Sequence, residues 1–157
     1  MPTRIYLYTD DVIGILPKRN LNNGQPSLHA ALIAAAAPQP GEHVLHIGVG
    51  VGYYTAILAE LVGATGRVTA IEFDAELAAR ATANLAQHVR AVHGDGTRIA
   101  FEPADVIYVN AGATRPADAM PTSPRSPLSF EARSAPRSYP TVSARRRYGA
   151  TTPNSWH

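Results

Sequence analysis

The sequence predicts an α/β fold with a doubly wound, mostly parallel sheet. Three observations carry that prediction. Short apolar runs at 43–47, 67–72, 89–92 and 105–109 are separated, at the first two gaps, by stretches of helical pattern. Parallel strands need crossover helices spaced in this way. The first run leads straight into Gly48, Gly50 and Gly52, and a helical pattern follows from Tyr54. Such a turn lets a backbone come close to a nucleotide-like ligand, because glycine has no Cβ to collide with it. Glu72 ends the second run, twenty residues after Gly52. An acidic group at that place grips ribose hydroxyls in nucleotide-binding α/β folds.

The elements follow in order. Residues 1–25 form an N-terminal arm with a few apolar residues (Ile5, Tyr6, Leu7, Val12, Ile13, Ile15, Leu16), punctuated by Pro17, Asn20, Asn22, Asn23 and Gly24. Ser27 reads as an N-cap for an alanine-rich helix, 28–37, which Pro38 and Pro40 stop. The first strand, 43–47, is followed by the glycine turn and a helix over 54–62. Gly63 and Gly66 break that helix before the second strand, 67–72. Asp74 reads as the N-cap of a helix over 75–87, whose Leu77, Ala81 and Leu85 recur every fourth residue on one face. A third strand, 89–92, leads to Gly94-Asp95-Gly96. A fourth, 105–109, leads to Asn110-Ala111-Gly112.

Beyond Arg115 the pattern stops. Residues 116–157 hold seven prolines and seven serines, with no period of 2 or 3.6, a composition that predicts disorder. Charge divides at the same place. Residues 1–114 carry seven basic and ten acidic side chains, whereas 115–157 carry seven arginines against Asp118 and Glu131. The basic isoelectric point therefore belongs to the tail and predicts no nucleic-acid surface on the domain. Lys18 is the one lysine. The abrupt loss of pattern near Ala119–Met120 reads as an out-of-frame continuation. Cysteine is absent, which excludes disulfides and thiol nucleophiles and fits a cytoplasmic location. No apolar run approaches the ~20 residues of a membrane helix, and no signal peptide is evident. Histidines and carboxylates lack metal-ligand spacing, so no metal is expected.

From Gln25 to Ala113 these motifs resemble a class I S-adenosylmethionine (SAM)-dependent methyltransferase with a Rossmann-like fold. Within that class they most resemble the protein-L-isoaspartate O-methyltransferases. The resemblance rests on VLHIGVGVGYYTA at Val44–Ala56, VTAIEFD at Val68–Asp74, Gly94-Asp95-Gly96, and ADVIYVNAG at Ala104–Gly112. It implies SAM as cofactor and a protein or peptide carboxylate as methyl acceptor. It implies that Gly48, Gly50 and Gly52 pass beneath the methionine and ribose, and that Glu72 accepts from the ribose hydroxyls. Asp95 would meet the adenine amino group with Gly96 beside it, and His29 would lie near the cofactor. Residues 26–115 would then be an incomplete SAM-binding domain, with the sheet truncated after about the fourth strand.

Three departures from the family pattern stand out. His46 replaces an acidic residue two places before the first glycine. Gly24 stands where the family carries a serine in Ser-x-Pro. The strands that should follow the fourth are missing or replaced, which would leave the fourth strand as an open edge. By their own chemistry Asp95 is equally a turn residue, and His29 equally a packed helix residue. Methyl transfer from a sulfonium requires no base, so no catalytic residue is assigned. Two other readings stay open: an inactive SAM-binding fragment, or a nicotinamide-binding domain. The latter's fingerprint places its third glycine where Tyr53 stands. The oligomeric state is not readable from the sequence.

Overall fold

The computed structural model describes residues 9–85 and 89–112, and the backbone of 142–145. Ile5, Tyr6, Leu7, Gln87, His88 and the rest of the tail read from 116 onward lie outside the described residues. Within the arm, β1 (Gly14–Leu16) pairs antiparallel with β2 (Leu21–Asn22) across a 3₁₀ turn, Pro17–Arg19, that ends on Asn20 at φ 53°. This hairpin was not legible in the sequence, because its strands are too short to show a period. α1 (Pro26–Ala36), β3 (His43–Ile47), α2 (Tyr53–Val62), β4 (Arg67–Glu72), α3 (Ala75–Asn84), β5 (Val89–His93) and β6 (Val106–Val109) follow.

The expected strands and helices stand close to their predicted places, and caps explain where two of the helices begin. The Asp74 carboxylate accepts from the Glu76 and Leu77 amides at 2.9 and 3.1 Å, so it is the N-cap of α3. Ser27 is not the cap of α1. The helix starts two residues earlier than expected, with Pro26 at its first position. The Ser27 amide and hydroxyl both donate to Asp10, at 2.6 and 2.8 Å. An acid from the arm therefore does the capping, across seventeen residues that local pattern cannot bridge.

The sheet runs β5-β4-β3-β6 in parallel, with β3 in the middle and in register with both neighbours. All five residues of β3 are buried, as a strand covered on both faces requires. On one face Ile33 and Ala36 of α1 and Tyr54, Leu58 and Val62 of α2 pack on Val44, Val68, Val106 and Tyr108. α3 joins the same face through Ala81, which packs with Ala70. On the other face Leu45, Ile47 and Ile71, with Ile107 of β6 beside them, pack against Ile99 and Phe101. Among the described residues, then, all three α-helices lie on one face. The doubly wound arrangement needs a helix on the second face as well, and the connection that follows β6 lies outside the described residues.

One element contradicts the sequence reading. Residues Val142–Arg145, inside the segment expected to be disordered, form β7 and pair antiparallel with β6, from Val109↔Val142 to Val106↔Arg145. The physical reason lies in the backbone. β6 would otherwise expose a row of unpaired N–H and C=O groups, and pairing needs any extended segment rather than a side-chain period.

Among the described residues no helix is long and apolar enough to cross a membrane.

Candidate functional site

Parallel strands all end on one side of a sheet, and the loops that leave them there enclose a crevice. Here that crevice is a cavity of about 400 Å³ at the carboxyl ends of β3, β4 and β6. Gly48, Gly50, Glu72, Asp95 and Gly96 all line it. Gly52 does not; it closes the turn behind them and starts α2. His29 does not line it either. Its ring is 1% exposed and stacks on Tyr54, which is a lining residue, at 4.0 Å between centroids.

The glycine turn runs at φ 85°, 61° and 93° for Gly48, Gly50 and Gly52. At Gly48 the requirement for glycine is also steric. A Cβ there would strike the Asn110 carbonyl at the end of the neighbouring strand, so the turn can pass over β6 only without a side chain. Gly48 N–H donates to Ile71 O at 2.9 Å, tying the turn to β4 as well.

Glu72 fixes the next residue of the turn. One carboxylate oxygen accepts from the Gly50 amide at 2.7 Å and the other from the Asp74 amide at 2.9 Å. An ionised carboxylate offers about four acceptor positions, so these two bonds leave capacity for further donors. Asp95 is held by its own turn: Oδ1 accepts from the Thr97 amide at 2.9 Å and the Thr97 hydroxyl at 2.7 Å. The Thr97 hydroxyl, then its amide, hold the Asp95 carboxyl below the usual carboxylate range, with Arg98 adding to the effect.

Residues that sequence reasoning did not assign complete the cavity. Ile15, Arg19 and residues 21–23 bring the N-terminal hairpin to its wall, and Arg19 is ion-paired with Asp74. Lys18 meets Glu76 at 2.7 Å, and Arg80 donates to Ile15 O at 2.7 Å. These contacts bridge more than fifty residues, so no local signal announced them. Asn110 could have been found, because it follows the fourth strand at the same carboxyl edge as the glycines. The lining carboxylates of Glu72, Asp74 and Asp95 outnumber the Arg19 guanidinium, which leaves the cavity acidic.

Behind this wall lies a buried polar cluster. His29 Nδ1 is 2.5 Å from the Tyr108 hydroxyl, and His46 Nδ1 is 2.8 Å from the Thr55 hydroxyl. His46 is fully buried, and among the described residues its Nε2 has no partner. Burial, with His29 nearby, pushes its pKa down to about 3. The His46 exchange noted in the sequence therefore puts a neutral imidazole beneath the turn and outside the cavity lining. The Gly24 exchange has a local cause too: the His29 imidazole occupies the space that a side chain at position 24 would need. Among the described residues no group of three His, Asp or Glu could hold a metal ion.

Residues 2–122 match the family model described as protein-L-isoaspartate(D-aspartate) O-methyltransferase. The chain is 39% identical over 95 residues to protein-L-isoaspartate O-methyltransferase 2 of Archaeoglobus fulgidus, covering 56% of this chain and 43% of that one. It is 39% identical over 102 residues to the protein-L-isoaspartate O-methyltransferase of Ignicoccus hospitalis, covering 60% and 48%. A solved protein-L-isoaspartate O-methyltransferase structure superposes with a TM-score of 0.63 at 32% identity, over 69% of this chain and 37% of that one. The chain thus spans about half the length of the curated relatives it matches.

Proposed function

The chain belongs to the protein-L-isoaspartate(D-aspartate) O-methyltransferase family, and we propose that it binds S-adenosyl-L-methionine and methylates a protein or peptide carboxylate, that of an isoaspartyl residue. The observation that carries this reading is convergence. Gly48, Gly50, Glu72, Asp95 and Gly96 lie far apart in sequence, yet they line one cavity at the carboxyl edge of parallel strands.

The residues present fit the group. The turn at Gly48 has no room for a side chain on its β6 side and offers bare backbone to the cavity. Glu72 keeps acceptor capacity for ribose hydroxyls beyond its two amide bonds. Asp95, anchored by Thr97, is an acceptor suited to an exocyclic amine. An acidic lining favours a ligand that carries a sulfonium and an ammonium. When bound, the cofactor supplies a methyl group already activated toward an oxygen nucleophile. The chain's residues then have to bind, orient and exclude water, and orientation alone is worth several kcal/mol, on the order of 7–11 at best. An isoaspartyl carboxylate is ionised near neutral pH, so no residue has to take a proton.

In this reading residues 26–115 are the cofactor-binding domain, the 1–25 arm supplies one cavity wall, and 116–157 form a tail. The place of action is the cytoplasm. Titration calorimetry with S-adenosylhomocysteine, followed by transfer of labelled methyl to an isoaspartyl peptide, tests it. Binding with transfer supports the reading. Binding without transfer reduces the chain to a cofactor-binding fragment. Binding of NAD in place of S-adenosylhomocysteine overturns it.

A further inference from the structure

We infer that Asn23–Gly24, between β2 and α1, is a site where this chain deamidates to an isoaspartyl link, and that the product is a methyl acceptor held in the wall of the chain's own cavity. The second half rests on the cofactor reading above; the first half stands without it.

In an asparagine–glycine pair no side chain shields the nitrogen that closes the ring, so deamidation is least hindered there. The fold fixes both residues. Asn23 ties the two ends of the hairpin together: its N–H donates to Ile13 O at 2.9 Å, and its Oδ1 accepts from the Ile13 amide at 2.6 Å. Gly24 runs at φ 71°, and the His29 imidazole fills the place that a side chain would take. Neither position can change without loss of these contacts, so the reactive pair is built in.

The bonds around the pair run in the direction the reaction needs. The Gly24 nitrogen attacks the Asn23 side-chain carbonyl carbon. A C–N bond forms, the bond to Nδ2 breaks, and the Gly24 amide proton leaves with Nδ2 as ammonia. The Ile13 amide already donates to the carbonyl oxygen on which charge gathers. Gly24 N–H already donates to Asn22 Oδ1 at 2.9 Å, which enriches the nitrogen in electrons. Water then opens the five-membered imide. Opening at the main-chain carbonyl leaves Gly24 joined through the former side chain and frees an α-carboxylate. Asn23 is buried in the fold but lines the cavity together with Asn22, so water reaches it from there. Asp95–Gly96 is the contrasting pair in the same cavity. The Thr97 hydroxyl, before its amide, holds the Asp95 carboxyl below the usual range, and an ionised carboxylate is a poor electrophile.

The freed carboxylate has the chemistry of the acceptor proposed for this site. Gly24 abuts His29, which stacks on Tyr54 and bonds to Tyr108 of β6. The pair thus lies toward β6, whereas Asp95 follows β5 at the other end of the parallel strands. With adenine toward Asp95, the methyl end of the cofactor falls on the side of Asn23. An acceptor tethered in the wall is presented at an effective concentration on the order of millimolar, with no peptide to capture. One carboxylate oxygen takes the methyl group and S-adenosylhomocysteine is released. The Gly24 nitrogen then attacks the ester, methanol leaves, and the imide re-forms.

The test ages the unsubstituted protein in warm, mildly alkaline buffer and sequences its fragments by electron-transfer dissociation, which distinguishes isoaspartyl from aspartyl links. The expected result is isoaspartyl at 23 and none at 95. Asn22→Ala should slow its formation about fivefold, the worth of one neutral hydrogen bond. An unchanged rate in that variant overturns the part given to Asn22. The aged protein then receives S-adenosyl-L-methionine with a labelled methyl group. Label should enter the fragment that holds residue 23 as a base-labile ester, at a rate per molecule independent of protein concentration. Freshly purified protein and aged Asn23→Gln should take up none. The site is located in the unsubstituted protein, so the result does not depend on a variant folding. Absence of isoaspartyl at 23 after ageing overturns the inference. A rate per molecule that rises with protein concentration overturns presentation within one chain. Isoaspartyl at 23 with label passing only to an added isoaspartyl peptide overturns the self-acceptor, and there the cofactor reading survives. Failure to bind S-adenosylhomocysteine removes the cofactor reading and the self-acceptor together, and isoaspartyl at 23 would then uphold the deamidation site alone.

Discussion

The Glu72 carboxylate accepts from the Gly50 amide at 2.7 Å and thereby joins the end of β4 to the middle of the glycine turn. An acid expected to meet a ligand is thus also a structural brace. The two roles predict a graded response. Glu72→Ala leaves the Gly50 and Asp74 amides without their acceptor, at about 1–3 kcal/mol for each one that water cannot reach. Glu72→Gln keeps one carbonyl oxygen and should lose less. Urea midpoints rank the two, and S-adenosylhomocysteine affinity should fall in both. An Ala variant as stable as its parent would remove the brace.

Gly48 and Gly63 separate steric need from conformational need. Both have positive φ, 85° and 66°. A Cβ at Gly48 meets the Asn110 carbonyl, whereas one at Gly63 meets nothing within 4 Å. Gly63→Ala should therefore cost about 1–3 kcal/mol, the conformational penalty alone, because φ 66° with ψ −173° is a backbone region essentially reserved for glycine. Gly48→Ala should cost clearly more, and it should distort the cavity floor. Thermal unfolding of the two variants is the measurement, and equal losses would refute the steric claim.

His46 makes the fold acid-sensitive. Its folded pKa, near 3, lies below the ordinary histidine value of 6.5. Below pH 6.5 the unfolded chain takes up a proton that the folded chain refuses. Stability is therefore unaffected above pH 6.5 and declines as pH falls from 6.5 toward 3, by up to about 1.4 kcal/mol per pH unit. His46→Gln, which cannot titrate, should flatten that part of a stability-against-pH curve. A curve of unchanged slope would show that other groups dominate.

Arg19 ties the hairpin to α3 through Asp74, and its side chain is 51% exposed. A pair this exposed contributes little to stability, about 0–1 kcal/mol. Arg19→Ala should leave the unfolding midpoint nearly unchanged while speeding dissociation of S-adenosylhomocysteine, because Arg19 also lines the cavity. Stopped-flow release in low and high salt checks this, and added salt should accelerate release in the parent protein more than in the variant.

β7 covers the outer edge of β6. Removing residues 142–157 should unprotect the β6 amides to hydrogen exchange and promote association through the bared edge. Light scattering and exchange at Val106–Val109 read the two effects. A monomeric truncated protein with protected β6 amides would show that β7 is dispensable.

Much of this molecule was written in local pattern. The strand–glycine–helix order at 43–62, the Asp74 cap and the acid closing β4 depend on near neighbours, so periodicity and turn chemistry reveal them. The same holds for the meeting of Gly48, Gly50, Glu72 and Asp95, because parallel strands with crossover helices bring every carboxyl end to one edge. Only the tertiary structure decided the rest. It put Asp10 on the α1 terminus, Arg19 and Ile15 at the cavity wall, His29 in the core behind Tyr54, and 142–145 on the β6 edge. Those placements rest on hydrogen bonds, ion pairs and steric fit between segments distant in sequence. Such contacts leave no period, because a backbone edge or a carboxylate accepts any partner that folding delivers to it.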